Sequence, residues 1–289
     1  MKSLRLQCGI IYGPVFSRRL GRSLGINILS QKCKWCSFDC VYCDYGKTDV
    51  HSIDPGNLVD ELPSPSEVES DLRSFLKKDV EVDFITFSGN GEPTLHPLFP
   101  EIVDVVKEVR DDLVPHVKLA ILSNASTLSK KSIRKAVLKL DAPIMKLDVG
   151  SEKFFREVNR PCKDVSFNEV LNGLKNLGNV IIQTMLFKGK ISNVNDEALN
   201  LLIKRLREIK PRYVQVYTVD RPPAEPQIRK ISETRLSEVA YRIREEVGVP
   251  ARVYALKCPK CGSENLSYVV LPSGEQFYEC RCGYRRKAI

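Results

Sequence analysis

Cys36-Ser-Phe-Asp-Cys40-Val-Tyr-Cys43 is the stretch on which the reading of this chain turns. It sets three thiols in C-x3-C-x2-C spacing. Three thiolates so close in sequence can grip one iron–sulfur cluster but cannot fill it, because a cubane [4Fe–4S] cluster normally takes four. One iron then keeps an open position, and an open position is what chemistry needs. Ordinary core cysteines or a zinc site are the competing reading, yet zinc prefers pairs of closely spaced ligands and closes four of them. Cys33-Lys-Trp-Cys36 adds a fourth cysteine nearby. Were Cys33 to take the fourth iron, the site would become an inert electron carrier.

Around this loop the composition is that of a globular protein. The chain has 289 residues, 43% hydrophobic and 28% charged, enough for one large domain plus a small one. Its uncharged stretches are too short to span a bilayer, so no membrane partner is expected. Nothing near Lys2 and Arg5 reads as a secretory signal, and the expected location is cytoplasmic. Ten cysteines in such a chain point to metal or redox use rather than disulfides. Cys8 and Cys162 fall outside the two cysteine clusters and are expected as buried small residues. The net charge of +9 is concentrated at the ends. Residues 1–35 hold seven basic residues and no acid, and residues 251–289 hold seven basic residues and three acids. Such patches attract phosphate, although a solvated basic surface would look the same.

Strands and helices alternate along the chain. Strands are expected at 24–28, 83–87, 117–122, 144–148, 180–187 and 213–217. Helices are expected from Ser64-Pro-Ser-Glu67, a capping box with proline at the first helical position, to about 78, and at 98–110, 129–140, 152–158, 196–209 and 232–247. Apolar runs joined by helices imply a parallel sheet buried on both faces. Six such units fit an α/β fold with a partial (β/α)6 barrel, residues 1–256, followed by a small module, residues 257–289.

Ligands in such folds bind where the strands end. Three unusual groups fall there. Ser88-Gly89-Asn90-Gly91-Glu92 lets a ligand approach the backbone and offers a carboxylate to an ammonium group; a plain glycine-rich turn is the bland alternative. Ser123-Asn124 can contact a ligand or cap a helix. Lys146 and Asp148, two apart on a strand, share one face, so a buried pair there needs a ligand or each other.

The cysteine triplet with Tyr42 just before its last member resembles the radical S-adenosylmethionine (radical SAM) superfamily. The superfamily motif begins at Cys36, so Cys33 is read as an extra. The resemblance implies a [4Fe–4S] cluster on Cys36, Cys40 and Cys43, with SAM chelating the free iron. It implies that Gly89, Gly91 and Glu92 correspond to the Gly-Gly-Glu motif that holds the SAM amino group, with Asn90 in place of a glycine. By the same resemblance Ser123 and Asn124 lie near the ribose or carboxylate, Asp148 holds the ribose and Lys146 the carboxylate. Residues 12–26, 88–95, 147–161 and 221–223 are similar to a group of such proteins filed with the tRNA wyosine synthetases.

A second cysteine set, Cys258-Pro-Lys-Cys261-Gly and Cys280-Arg-Cys282-Gly, resembles a zinc ribbon, with strands expected at 266–270 and 276–279. Zinc is the expected metal; iron in the same four thiolates and no metal are the alternatives. The module is either a staple for a segment too small to fold alone or a grip on nucleic acid through Arg281, Arg285, Arg286 and Lys287. The resulting expectation is an enzyme that cleaves SAM to modify an RNA base, in particular of tRNA, with an external one-electron donor. A small-molecule or peptide substrate is the runner-up. A non-catalytic iron–sulfur and zinc protein that binds nucleic acid is the competing class.

Overall fold

Short runs such as Phe84–Phe87, apolar on both faces, can only be satisfied inside a sheet covered from both sides. The computed structural model, which describes residues 4–78, 80–264, 266–270 and 275–287, builds such a sheet. β1 (Ile11–Ser17) and β2 (Gly21–Ile26) form an antiparallel hairpin. β3 (Phe84–Phe87), β4 (Lys118–Ser123), β5 (Ala142–Lys146), β6 (Ile181–Leu186), β7 (Tyr213–Thr218) and β8 (Ala251–Tyr254) continue it in chain order. All pairs from β2 to β8 are parallel.

The helices are α1 (Pro65–Leu76), α2 (Phe99–Leu113), α3 (Lys131–Val137), α4 (Glu152–Val158), α5 (Phe167–Leu177), α6 (Asp196–Ile209) and α7 (Glu233–Val247). The expected capping box holds α1: the Ser64 hydroxyl accepts from Glu67 N–H, and Glu67 reaches back to Ser64 N–H at 2.7 Å. The six expected strands are β2 to β7, and β1 and β8 extend the sheet at its two edges. Ser166 with Glu169 forms a second capping box that starts the unexpected α5.

The sheet curls on itself. The β1–β2 turn carries Leu20 onto Ala120, Ala142, Ile144 and Ile181 from the middle strands. Its neighbour Arg18 donates to Tyr254 O, at the end of β8, at 2.7 Å. A hairpin on one edge that reaches the opposite edge requires a half-closed barrel, and Leu20 plugs its interior.

After the barrel, β9 (Ser267–Val270), β10 (Gln276–Glu279) and β11 (Arg285–Lys287) form a separate antiparallel sheet. Among the described residues no helix is long and apolar enough to cross a membrane. Cys162 is buried, but Cys8 is exposed. Its segment is pinned through Leu4 N–H on Asp44 O and Gln7 N–H on Asn90 Oδ1 and buries Leu4 and Ile10 instead.

Candidate active site

Where β2 ends, the chain enters the cysteine loop rather than a helix. Two aromatic residues plant that loop in the core. Trp35 is fully buried, its indole N–H on Ser52 O at 3.0 Å. Phe38 packs edge-on against Phe155 with ring centres 5.1 Å apart. The cysteines between and after these anchors turn inward. Cys36, Cys40 and Cys43 border one cavity of about 250 Å3, and Cys33 does not border it. Among the described residues, only the C-terminal cysteines gather within the 4.8 Å span that suits one ion. The loop's sulfurs are therefore spread around a space, which suits a multi-atom cluster.

Burial pushes the Cys36 thiol well up, against the pull of Lys34. It pushes Cys40 up to about 11, against Lys146. Such thiols are inert until a metal takes their protons. Lys34 is itself buried; burial disfavours its charge, but the three cysteine sulfurs outweigh that and raise it. Asn124 Nδ2 donates to Cys36 Sγ at 3.6 Å and Asn159 Nδ2 to Cys40 Sγ at 3.5 Å. Donors of this kind orient and tune thiolate ligands.

Glu92 ties the ends of β3 and β4 together. Gly89 and Gly91 bring it there with φ of 130° and 148°. A Cβ on Gly91 would stand 1.7 Å from Trp35 O, so only glycine lets the turn and the cysteine loop touch. Glu92 Oε1 accepts from Thr94 N–H (3.1 Å), Thr94 Oγ1 (2.6 Å) and Ser123 Oγ (2.8 Å), and Oε2 from Asn124 N–H (2.5 Å). Burial raises its pKa, and these donors partly offset that. Glu92, Ser123, Asn124, Gly89 and Gly91 all border the cysteine cavity. Asn90 does not: its side chain holds Gln7 through both amide groups and donates to Ser30 O at 2.9 Å.

Lys146 borders the cavity too, with Nζ 4.9 Å from the centre of the Tyr42 ring. Burial disfavours its charge, but Tyr217, Asp148, Cys40 and Cys43 prevail and raise it. Its Nζ is 4.0 Å from Asp148 Oδ2, the outer limit of an ion pair. Asp148 is committed elsewhere: it accepts from Tyr42 OH, from Asn159 Nδ2 at 2.8 Å and from Met185 N–H at 2.8 Å. It lies behind the cavity wall and fastens the cysteine loop to β5 and β6.

Sequence reasoning passed over Arg19 and Asn159. Asn159 lies within residues 147–161, just before Arg160-Pro161, and an asparagine two residues before a proline carries no signal of its own. In the sequence Arg19 is one of the seven basic residues of 1–35 with nothing to single it out. The β1–β2 turn drives it into the barrel, where its guanidinium lies 4.5 Å from the Tyr217 ring centre and donates to Gln183 Oε1 at 2.5 Å. Arg19 borders both the cysteine cavity and an adjoining chamber of about 320 Å3 that opens between the first hairpin and the C-terminal module.

Residues 31–206 match the model of the radical SAM superfamily. The chain belongs to the radical SAM superfamily. It is similar to a UPF0026 protein of Methanocaldococcus jannaschii, 33% identical over 249 residues, 83% of this chain and 72% of that one. A UPF0026 protein of Helicobacter pylori is 31% identical over 89% of this chain and 82% of the relative. In fold it resembles Streptococcus suis SuiB bound to S-adenosylmethionine, with a TM-score of 0.56, 18% identity, and coverage of 76% of this chain and 48% of that chain. A radical SAM methyltransferase from Sphaerobacter thermophilus gives 0.57 at 15% identity, covering 80% and 65%. The chain thus spans about half to two thirds of these two solved structures.

As a radical SAM enzyme the chain calls for a [4Fe–4S] cluster and SAM, and the residues fit. Three thiols face one cavity, amide donors point at two of them, and a carboxylate and a lysine stand on its walls. The electrostatics suit a zwitterion: Glu92 for an ammonium, Lys146 for a carboxylate.

The second cysteine group lies at the start of the small sheet. Cys258, Cys261, Cys280 and Cys282 bring all four sulfurs within 4.8 Å of one another. Cys258 and Cys282 are 3.5 Å apart, Cys261 and Cys280 3.6 Å. Thiolates on a tetrahedral zinc, with Zn–S of about 2.3 Å, sit roughly 3.8 Å apart. The C-x-C pair still makes a tight turn: Gly283 N–H donates to Cys280 O at 2.9 Å, as Gly262 N–H does to Cys258 O at 2.8 Å. Burial opposes the Cys258 thiolate, yet the N–H groups of Cys261 and Lys260 and the Cys282 thiol lower it to about 7, which favours metal binding.

Proposed function

We propose that this radical SAM enzyme modifies an RNA base, that of a tRNA in particular, with zinc in the C-terminal cysteines. A reduced [4Fe–4S] cluster would supply the one electron for cleaving the C5′–S bond of SAM, and SAM so cleaved would supply methionine and the abstraction of a hydrogen atom from a substrate C–H. Cys36, Cys40 and Cys43 are the proposed cluster ligands. Glu92 holds the SAM amino group, Lys146 its carboxylate, and Ser123 and Asn124 lie near the ribose or carboxylate. Tyr42 and Asp148 fix the loop beneath them. The electron comes from an external one-electron donor.

The observation that carries the substrate reading is the chamber beside the cysteine cavity. Its walls combine arginines with the rings of Tyr12, Phe16, Tyr45, Tyr217 and Tyr278. At about 320 Å3 it stands at the lower end of small-ligand sites, about 300–1,000 Å3. That is room for one nucleotide-sized group, not for folded RNA. A base would have to leave its stack to enter, as base-modifying enzymes require. The first hairpin and the module both border this mouth, and both are basic.

Gel shifts of unmodified tRNA with the full chain, across a salt series, test the reading. Binding that falls steeply with salt, together with tRNA-stimulated formation of 5′-deoxyadenosine, is the expected result. No binding at low salt would hand the reading to a small-molecule or peptide substrate.

A further inference from the structure

The charges of the chamber do not balance. Four arginines border it, Arg18, Arg19, Arg221 and Arg286, against two carboxylates, Asp44 and Asp220. Both carboxylates are taken. Asp220 pairs with Arg18, and Asp44 lies 3.2 Å from Arg221. Among the described residues no ion pair joins Arg19 or Arg286 to a carboxylate, and the buried Nε of Arg286 has no hydrogen-bond partner. Both surplus guanidiniums lie over aromatic rings: Arg19 over Tyr217 and Arg286 over Phe16, each with Cζ 4.5 Å from the ring centre. A guanidinium over a ring keeps N–H groups for an anion; Arg19 spends one of its five on Gln183 Oε1. Both cations are half-buried, and a half-buried cation with no carboxylate beside it gains when something anionic arrives. Arg18 registers the same excess: burial, then the charge of Arg19, lowers it to about 10.

We infer that the chamber is a phosphate-binding subsite in which Arg19, from the first hairpin, and Arg286, from the C-terminal module, together grip a phosphate group of the substrate. Phosphate suits two forks better than one carboxylate does, because its oxygens can accept from both at once. The two arginines come from opposite ends of the chain, so the C-terminal module is one wall of the substrate site. The inference rests on the reading of the chain as a radical SAM enzyme working at this mouth. The phosphate can belong to RNA or to a free nucleotide.

Isothermal titration of the full chain, cluster and SAM loaded, with inorganic phosphate tests it. One saturable site is expected, weakened about tenfold or more by Arg19→Gln and by Arg286→Gln, and unchanged by Arg22→Gln, whose side chain is exposed and paired with Asp83. Circular dichroism checks that each variant is folded. If Arg19→Gln does not fold, Arg286→Gln carries the test. Competition then separates the sources: displacement by a short RNA assigns the phosphate to RNA, and displacement by adenosine monophosphate alone assigns it to a free nucleotide. No saturable site, variants that bind like wild type, or phosphate that neither competitor displaces would each overturn the inference. SAM cleavage by wild type, measured in the same preparation, keeps the two readings apart. Its absence sinks the radical reading; its presence without phosphate binding sinks only this one.

Discussion

Replacing Glu92 by Gln separates the two jobs this side chain holds. As a lock, its carboxylate accepts from two backbone N–H groups and two hydroxyls while 2% exposed. An amide can keep one oxygen on Asn124 N–H, and the two hydroxyls can turn to accept from its NH2. Thr94 N–H, however, loses its acceptor. An unsatisfied buried N–H costs about 1–3 kcal/mol. At about 2–4 °C per kcal/mol for a chain approaching this size, the melting temperature should fall by roughly 2–12 °C. As a ligand, the lost charge should cost SAM about 1.5–3 kcal/mol, roughly a ten- to hundredfold weaker affinity. Thr94→Val is the comparison. It removes one hydroxyl from the lock but leaves the charge, so it should destabilise to a similar degree and change SAM affinity far less. Melting curves and anaerobic titration of reconstituted protein give both numbers. If Glu92→Gln lowers the melting temperature and binds SAM like wild type, Glu92 is a structural tie alone.

Iron counts on anaerobically purified variants should show Cys33→Ala retaining the cluster and Cys40→Ala losing it; equal loss would make the site a four-cysteine carrier. His96 should make stability depend on pH. Its Nδ1 accepts from Leu98 N–H at 3.0 Å and its Nε2 donates to Pro63 O at 3.1 Å, so the neutral ring is satisfied, and burial lowers its pKa from 6.5 to about 4. The stability this gives is complete above pH 6.5 and is lost as pH falls toward 4, on the order of 3 kcal/mol. Urea midpoints across that window should drop more in wild type than in His96→Asn; equal drops would refute the assignment. Gly91→Ala, whose Cβ meets Trp35 O at 1.7 Å, should destabilise by more than about 4 kcal/mol or fail to fold, and a melting curve near wild type would show that the two loops can part.

The parts of the fold written as periodicity were legible beforehand. Apolar runs marked β2 to β7, and Ser64-Pro-Ser-Glu67 marked the start of α1. The missing strands lacked that signal. β1 contains Gly13 and Pro14, which argue against a strand, and it survives because it is an edge strand with an irregular register. β8 is four residues long, and only β7 beside it gives it a role. The capping box Ser166 to Glu169 was readable and would have found α5.

The site divides in the same way. Cysteines and glycines at fixed spacing announce themselves, because one residue type fits the job. Arg19 and Asn159 act through the places to which a hairpin turn and a helix end deliver them. Asp148 was legible as a strand-end carboxylate, but its three donors arrive from Tyr42, Asn159 and Met185. Only folding brings those together, and they make it a fastener of the cysteine loop.

In the proposed enzyme three cysteines hold a cluster whose open iron engages SAM at the mouth of this barrel. Anaerobic reconstitution with iron and sulfide, reduction with dithionite and incubation with SAM test it most directly. The account predicts 5′-deoxyadenosine and methionine from wild type, and neither product from Cys40→Ala. A reconstituted cluster that takes up the electron and leaves SAM intact would contradict it.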